Sequence, residues 1–271
     1  AIDGVHLVEV SPGMRRIQRL KLCGNAESKC TDDGEIAFRE KDGLKFVWHN
    51  SFEEISGIWS IIVAHEFFDA LPIHGFERKD RGPYHFCFKL NPWPTLPAVF
   101  RNFPALEKFR IGDRIEISPE SWKTSNRIAK FINRNRGASL IIDYGKDFIQ
   151  GDTLRAIKRH KFIHPLCTPG LSDLSADVNF KYLKEATEGL VDAYGPITQS
   201  KFLQTLGLKT RLMMLLKSSS PDRHETLISS FKRLIDPLSM GEIYKVLAFV
   251  PTGSSECTVY QFNVKVSSVL S

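Results

Sequence analysis

Ile58-Trp59-Ser60-Ile61-Ile62-Val63-Ala64-His65-Glu66-Phe67-Phe68-Asp69-Ala70-Leu71-Pro72 is the stretch whose reading decides the fold. Its first half, Ile58–Ala64, is nearly continuous in apolar side chains. That is the composition of a strand covered on both faces, as in parallel sheets. A histidine and two carboxylates follow at once, with two aromatics and a chain-turning proline. Open α/β sheets bind ligands outside the carboxyl ends of their strands, so polar chemistry at such an end is read first. The His65-Glu66 pair also opens a zinc-protease pattern. HExxH needs its second histidine where Asp69 stands, so that reading is rejected. A catalytic or substrate-orienting acid remains, beside a capped helix start, and the compactness of the cluster favours the acid.

Working outward, Val5–Val10 is a short β-rich run, and Pro12 sits where a helix can begin. Met14, Ile17, Leu20 and Cys23 then recur at helical spacing. Leu44–Trp48 is a second strand and Ala138–Asp143 a fourth, after a helix from about Glu120 to Asn133. Strands alternating with helices predict an α/β fold around a mostly parallel, doubly wound sheet. Ile73–Arg78 and Tyr84–Leu90 read as a hairpin around Arg81-Gly82-Pro83, and Pro92, Pro94, Pro97 and Pro104 mark an irregular insertion. After Tyr144 the chain reads as largely helical: Asn179–Glu188, Gln199–Leu206, Leu208–Lys217 and Asp222–Leu234. Ile243–Val250 and Thr258–Val266 read as closing strands. The predicted organisation is one domain over 1–271, with an insertion at about 73–118 and a helical region at about 170–236.

The other strand ends supply further candidates. Glu9 ends the first strand, where an acid can accept hydrogen bonds from both ribose hydroxyls of a nucleotide-like cofactor. It can equally be a glutamate favoured by the dipole of the helix that follows. Trp48-His49 ends the second strand; a flat ring there can stack on adenine, or belong to the core. Asp143-Tyr144-Gly145 ends the fourth, and the acid and phenol can face one cleft. In Pro169–Asp177, Ser175 or Asp177 can cap a following helix.

Composition limits the function classes. The chain has 271 residues, 42% hydrophobic and 25% charged, enough for a core of ordinary size. No run approaches the ~20 apolar residues of a membrane span. The net charge of +6 is scattered. Its densest patches, Lys158-Arg159-His160-Lys161 and Arg134-Asn135-Arg136, are short and lack interleaved stacking aromatics, so nucleic acid is not the expected partner. The five cysteines form no CxxC pair, which argues against a zinc site and a disulfide framework. No metal is expected. No Gly-x-Gly-x-Gly loop, P-loop or GxSxG elbow is present.

Six segments carry a family resemblance: HLVEVSP (His6–Pro12), AHEFFDALPIHGFE (Ala64–Glu77), ASLIIDYG (Ala138–Gly145), TPGLSDLSADVNFKYL (Thr168–Leu183), GPITQSKFLQTLGL (Gly195–Leu208) and MGEIYKVLAF (Met240–Phe249). Together, and in this order, they resemble the MidA-type methyltransferases, and the Phe67-Phe68 form is more like the mitochondrial branch. The resemblance implies a seven-stranded, Rossmann-like methyltransferase sheet with an inserted hairpin and a helical substrate-side region. It implies S-adenosylmethionine as cofactor, with Glu9 as the ribose-binding acid; Trp48 and His49, read above from the residues, join it as cofactor-binding candidates. His65, Glu66 and Asp69 then fall at the methyl-transfer site. It further implies symmetric dimethylation of an arginine in a core subunit of respiratory complex I, in support of its assembly in the mitochondrial matrix. The family carries a glycine-rich loop after its first strand, shortly before HLVEVSP. The chain begins after that point, so the first strand and loop are expected upstream of it. The competing reading is a non-catalytic assembly protein that keeps the fold.

Overall fold

The computed structural model describes residues 2–32, 34–77, 85–88, 110–159 and 161–253, with only the backbone at 85–88. It divides into two compact units, 1–58 and 59–271.

The first unit contains β1 (Gly4–Val8), α1 (Pro12–Cys23), β2 (Lys29–Thr31), β3 (Gly34–Phe38) and β4 (Lys45–His49). Its sheet has the order β1-β4-β3-β2. β1 and β4 run parallel, with Val8 opposite His49, whereas β4–β3 and β3–β2 are antiparallel. Ser11 caps α1 by accepting from the Met14 N–H, and Pro12 takes the first helical position, where a missing N–H costs nothing. Cys23, Ala37, Phe46 and Trp48 form the core of this unit, with Val5, Leu7, Leu22 and Leu44 against them. Met14, Ile17 and Leu20 do share the helical spacing read from the sequence, yet they are about half exposed; Cys23 is the buried residue of α1.

The second unit runs β5 (Ser60–His65), β6 (His74–Glu77), β7 (His85–Phe88), β8 (Arg114–Ile117), α2 (Pro119–Asn135), β9 (Gly137–Lys146), β10 (Arg155–Lys158), β11 (Lys161–Ile163), β12 (Asp173–Ser175), β13 (Val178–Asn179), α3 (Phe180–Glu185), β14 (Val191–Thr198), α4 (Gln199–Thr205), α5 (Leu208–Ser218), α6 (His224–Ile235), α7 (Met240–Ile243) and β15 (Tyr244–Pro251). β9 is its spine. On one side it pairs in parallel with β5 and, further along, with β13; on the other it pairs antiparallel with β15, which carries β14. The α/β class holds. The expected parallel pairing holds at β1–β4 and β5–β9 and gives way at β15, which runs against β9.

α2 packs on this sheet through Ser125, Ile128, Ala129 and Ile132, whose spacing puts them on one helical face. Ser118 caps it and also donates to the Pro72 carbonyl at 2.8 Å, which ties the helix entry to the chain leaving β5. The expected hairpin is present as the antiparallel pair β6–β7, and β8 joins β6 on its other edge. The turn at Arg81-Gly82-Pro83, the four prolines and the predicted strand Thr258–Val266 lie outside the described residues.

Two expectations are corrected. The region after Tyr144 is not simply helical: β12, β10 and β11 form a small antiparallel sheet there. Its segments are three or four residues long and carry charges, so periodicity does not reveal them. β5 was expected to be covered on both faces, yet Ile61 is 64% and Val63 59% exposed, whereas Ala64 is buried. An apolar run reports what a strand can bury; what is actually buried depends on the layers against it.

Candidate active site

The second unit brings five chain segments to one edge of its sheet. β5 delivers His65, Glu66 and Asp69. The parallel strand β9 ends at the same edge with Asp143 and Tyr144. β15 is antiparallel, so its first residue lies there too: Tyr244 sits opposite Tyr144. β10 adds Arg155, and the segment around β12 adds Ser175 and Asp177.

Asp143 is fully buried. Its Oδ2 accepts from the backbone N–H groups of Phe68 and Asp69, at 3.1 and 3.2 Å, and its Oδ1 from that of Tyr144 at 3.0 Å. These bonds clamp the turn after β5 onto the end of β9. Burial, and then the neighbouring Asp69 charge, push the Asp143 carboxyl up to about 7. Gly145 follows with φ 154°, and a Cβ there would collide with the backbone of Val178. Glycine is needed for β13 to come this close.

Asp69 is buried, and burial raises its pKa against the opposing hydrogen bond from Tyr144. The Tyr144 hydroxyl donates to Asp69 Oδ2, and the Asp69 carbonyl accepts from the Ala176 N–H at 3.0 Å. Arg155 lies over the Tyr144 ring, 4.5 Å from its centroid, and pairs with Asp177 at 2.5 Å. Asp177 is therefore a salt-bridge partner. The helix cap expected of Ser175 or Asp177 falls instead to Asn179, which accepts from the Tyr182 N–H at 3.2 Å.

Glu66 differs from the other acids. It is exposed and its backbone is left-handed, φ 48°, a conformation that costs a non-glycine residue roughly 1 kcal/mol or more. Its N–H is anchored to the Ile142 carbonyl at 3.0 Å, and its Oε1 accepts from the Tyr244 hydroxyl at 2.5 Å. The Tyr144 and Tyr244 rings meet edge to face, 5.5 Å apart at 77°. His65 is exposed next to Glu66. Tyr244 and Arg155 escaped the sequence reading.

In the first unit, Glu9 stands at the exit of β1. Its Oε1 accepts from the Ser11 N–H at 2.9 Å, so it does guard the entry to α1. Its Oε2 has only a 3.4 Å contact from Gln18 and keeps acceptor capacity. Trp48 and His49 are 0% and 1% exposed. The Trp48 indole N–H donates to Gln18 at 2.8 Å, and His49 stacks on His6 with their ring nitrogens 2.8 Å apart. Both rings are thus buried, Trp48 within the core of this unit.

The model of a family described as "Putative S-adenosyl-L-methionine-dependent methyltransferase" matches residues 3–197. The chain belongs to this methyltransferase family. Mitochondrial proteins named protein arginine methyltransferase NDUFAF7 are similar to it. The Danio rerio protein is 35% identical over 92% of this chain and 61% of its own length, and the Homo sapiens protein 31% identical over 97% and 62%. The chain thus spans about three fifths of these relatives. A crystal structure from Burkholderia thailandensis, bound to S-adenosyl-homocysteine, shares the fold of this chain: TM-score 0.68 and 22% identity, over 92% of this chain and 64% of that one.

The residues present fit part of such a cofactor. Glu9, at a strand end with only a long contact from Gln18 on its Oε2, is chemically compatible with a ribose diol. The loop that would hold the methionine portion has no counterpart among the glycines of these 271 residues, none of which are spaced Gly-x-Gly.

Proposed function

We propose that this chain is the catalytic part of a mitochondrial, S-adenosylmethionine-dependent protein arginine N-methyltransferase. The observation that carries the reading is Glu66: an exposed carboxylate locked at the end of β5, beside acids that are already engaged. The names of the relatives support the arginine assignment and the compartment.

S-adenosylmethionine, when bound, supplies the electrophilic methyl group, and Glu9 would hold its ribose. The chain's own residues handle the acceptor. Glu66 receives the N–H groups of a guanidinium through charge-assisted bonds, which fix its plane. The methylated nitrogen must shed a proton, and the exposed Glu66 carboxylate can take it and pass it to water. Asp143 and Asp69 fix the turn on which Glu66 stands, so the gain is one of proximity and orientation. His65 stands beside Glu66 at the same edge. On the family resemblance of the sequence motifs, the proposed product is a symmetrically dimethylated arginine in a core subunit of respiratory complex I, formed in the matrix. Both units are read as parts of one methyltransferase domain, consistent with a family match that crosses their boundary.

A second reading, an assembly protein without catalysis, draws on the absent Gly-x-Gly loop. Calorimetry with S-adenosylmethionine separates the two, on this chain and on the protein read from its gene's own start codon. The catalytic reading expects binding by the protein read from its gene's own start codon, with labelled methyl recovered as methylarginine from an acceptor. Binding by neither form, or label recovered as methyllysine, would contradict it.

A further inference from the structure

Three acids at the sheet edge are committed to the chain itself. Asp143 accepts three backbone N–H groups, Asp69 Oδ2 takes the Tyr144 hydroxyl, and Asp177 holds Arg155. Tyr144 already carries the Arg155 guanidinium over its ring. Asp69 Oδ1 has no partner, but it reaches no solvent. Glu66 alone combines exposure with spare acceptor capacity: Oε1 is used by Tyr244, and Oε2 has no partner among the described residues.

A carboxylate on an exposed, flexible glutamate normally samples several rotamers. This one is restrained twice. The left-handed backbone at residue 66 fixes where the side chain starts, and the Tyr244 hydroxyl fixes where it ends. Tyr244 is itself restrained, because β15 places it opposite Tyr144 and the two rings meet edge to face. Burial and the bond to Glu66 raise the pKa of the Tyr244 hydroxyl, so it keeps its proton and remains a donor. With one lone pair of Oε1 engaged, the second lone pair of Oε1 and both of Oε2 remain. They form an edge that matches the two parallel N–H groups of a guanidinium better than the point charge of an ammonium.

We propose that Tyr244 is a positioning residue: its hydroxyl pins Glu66 so that the carboxylate presents a fixed two-oxygen edge selective for guanidinium. This rests on the arginine reading above and adds the residue that sets its selectivity. Tyr244 acts through Glu66 and touches neither methyl donor nor acceptor nitrogen.

The test is an NMR titration of the full chain with methylguanidine and, separately, methylammonium, for wild type, Tyr244→Phe, Glu66→Gln and the double variant. The expected result is a preference of wild type for methylguanidine, about threefold weaker binding in Tyr244→Phe and about tenfold weaker in Glu66→Gln. The double variant should be no weaker than Glu66→Gln, because the introduced glutamine, although it still accepts from Tyr244, no longer offers the two-oxygen edge that the hydroxyl aims. Tyr244→Phe should also lose part of the preference over methylammonium, which a merely structural tyrosine would leave alone. Additive losses, or wild-type affinity in Tyr244→Phe, would overturn the positioning role while the arginine reading stands. A wild-type chain that does not favour methylguanidine would overturn both.

Discussion

The ends of β9 and β5 lie side by side, and each carries acids, yet they are built oppositely. At β9, Asp143 is buried and each of its oxygens accepts from the backbone. At β5, Glu66 is exposed, strained in its backbone and held by a single hydroxyl from a distant segment. The contrast separates two uses of a carboxylate. An acid whose acceptors are all taken by N–H groups of its own chain maintains shape. An acid held in an unfavourable conformation with lone pairs to spare is kept for a ligand. Sequence alone presents both as polar residues after an apolar strand.

Replacing Asp143 is the most severe way to break this contrast. Asp143→Ala leaves the N–H groups of Phe68, Asp69 and Tyr144 without their acceptor, at about 1 kcal/mol or more each. A loss of roughly 3 kcal/mol or more in chemical denaturation is expected. A loss below about 1 kcal/mol would mean that the clamp is not structural.

The pH dependence sharpens the same point. The Asp143 carboxyl is raised in the folded state from its usual value to about 7. Its folded-state proton therefore stabilises the fold fully below about pH 4, and that stabilisation is lost as pH rises through about 7. The stability of wild type relative to Asp143→Asn should fall by about 3 kcal/mol between pH 4.5 and pH 7.5. A flat difference would show that Asp143 ionises normally.

The smallest effect on stability belongs to Glu66. Glu66→Gln keeps the shape and an acceptor for Tyr244 at a solvent-exposed site, so denaturation should shift by less than about 0.5 kcal/mol. A larger loss would place Glu66 with Asp143 as a structural acid and erase the contrast.

Much of this was legible because strand ends are local features. β1, β4, β5 and β9 follow the apolar runs to within a few residues, and Glu66, Asp69, Asp143 and Tyr144 can all be picked out by reading what comes after each run. Tyr244 was invisible for a geometric reason. It begins its strand, and the rule of reading strand ends assumes parallel neighbours; because β15 is antiparallel, its start reaches the ligand edge. Arg155 sits on a four-residue strand whose sheet depends on partners up to 20 residues away. β14 was missed because Gly195-Pro196 interrupts it, and the ladder shifts register there. Trp48 and His49 were correctly placed at a strand end, but the side chains that meet their rings, Gln18 of α1 and His6 of β1, come from distant sequence, which no local pattern encodes.

The most direct test of the division between shaping and ligand-facing acids is the steady-state transfer of labelled methyl to an arginine acceptor. It compares wild type with Glu66→Gln in the protein read from its gene's own start codon, with S-adenosylmethionine affinity measured alongside. The account predicts a fall of at least about tenfold in kcat/KM, with cofactor affinity and folding unchanged. Undiminished transfer by a folded Glu66→Gln protein would contradict it.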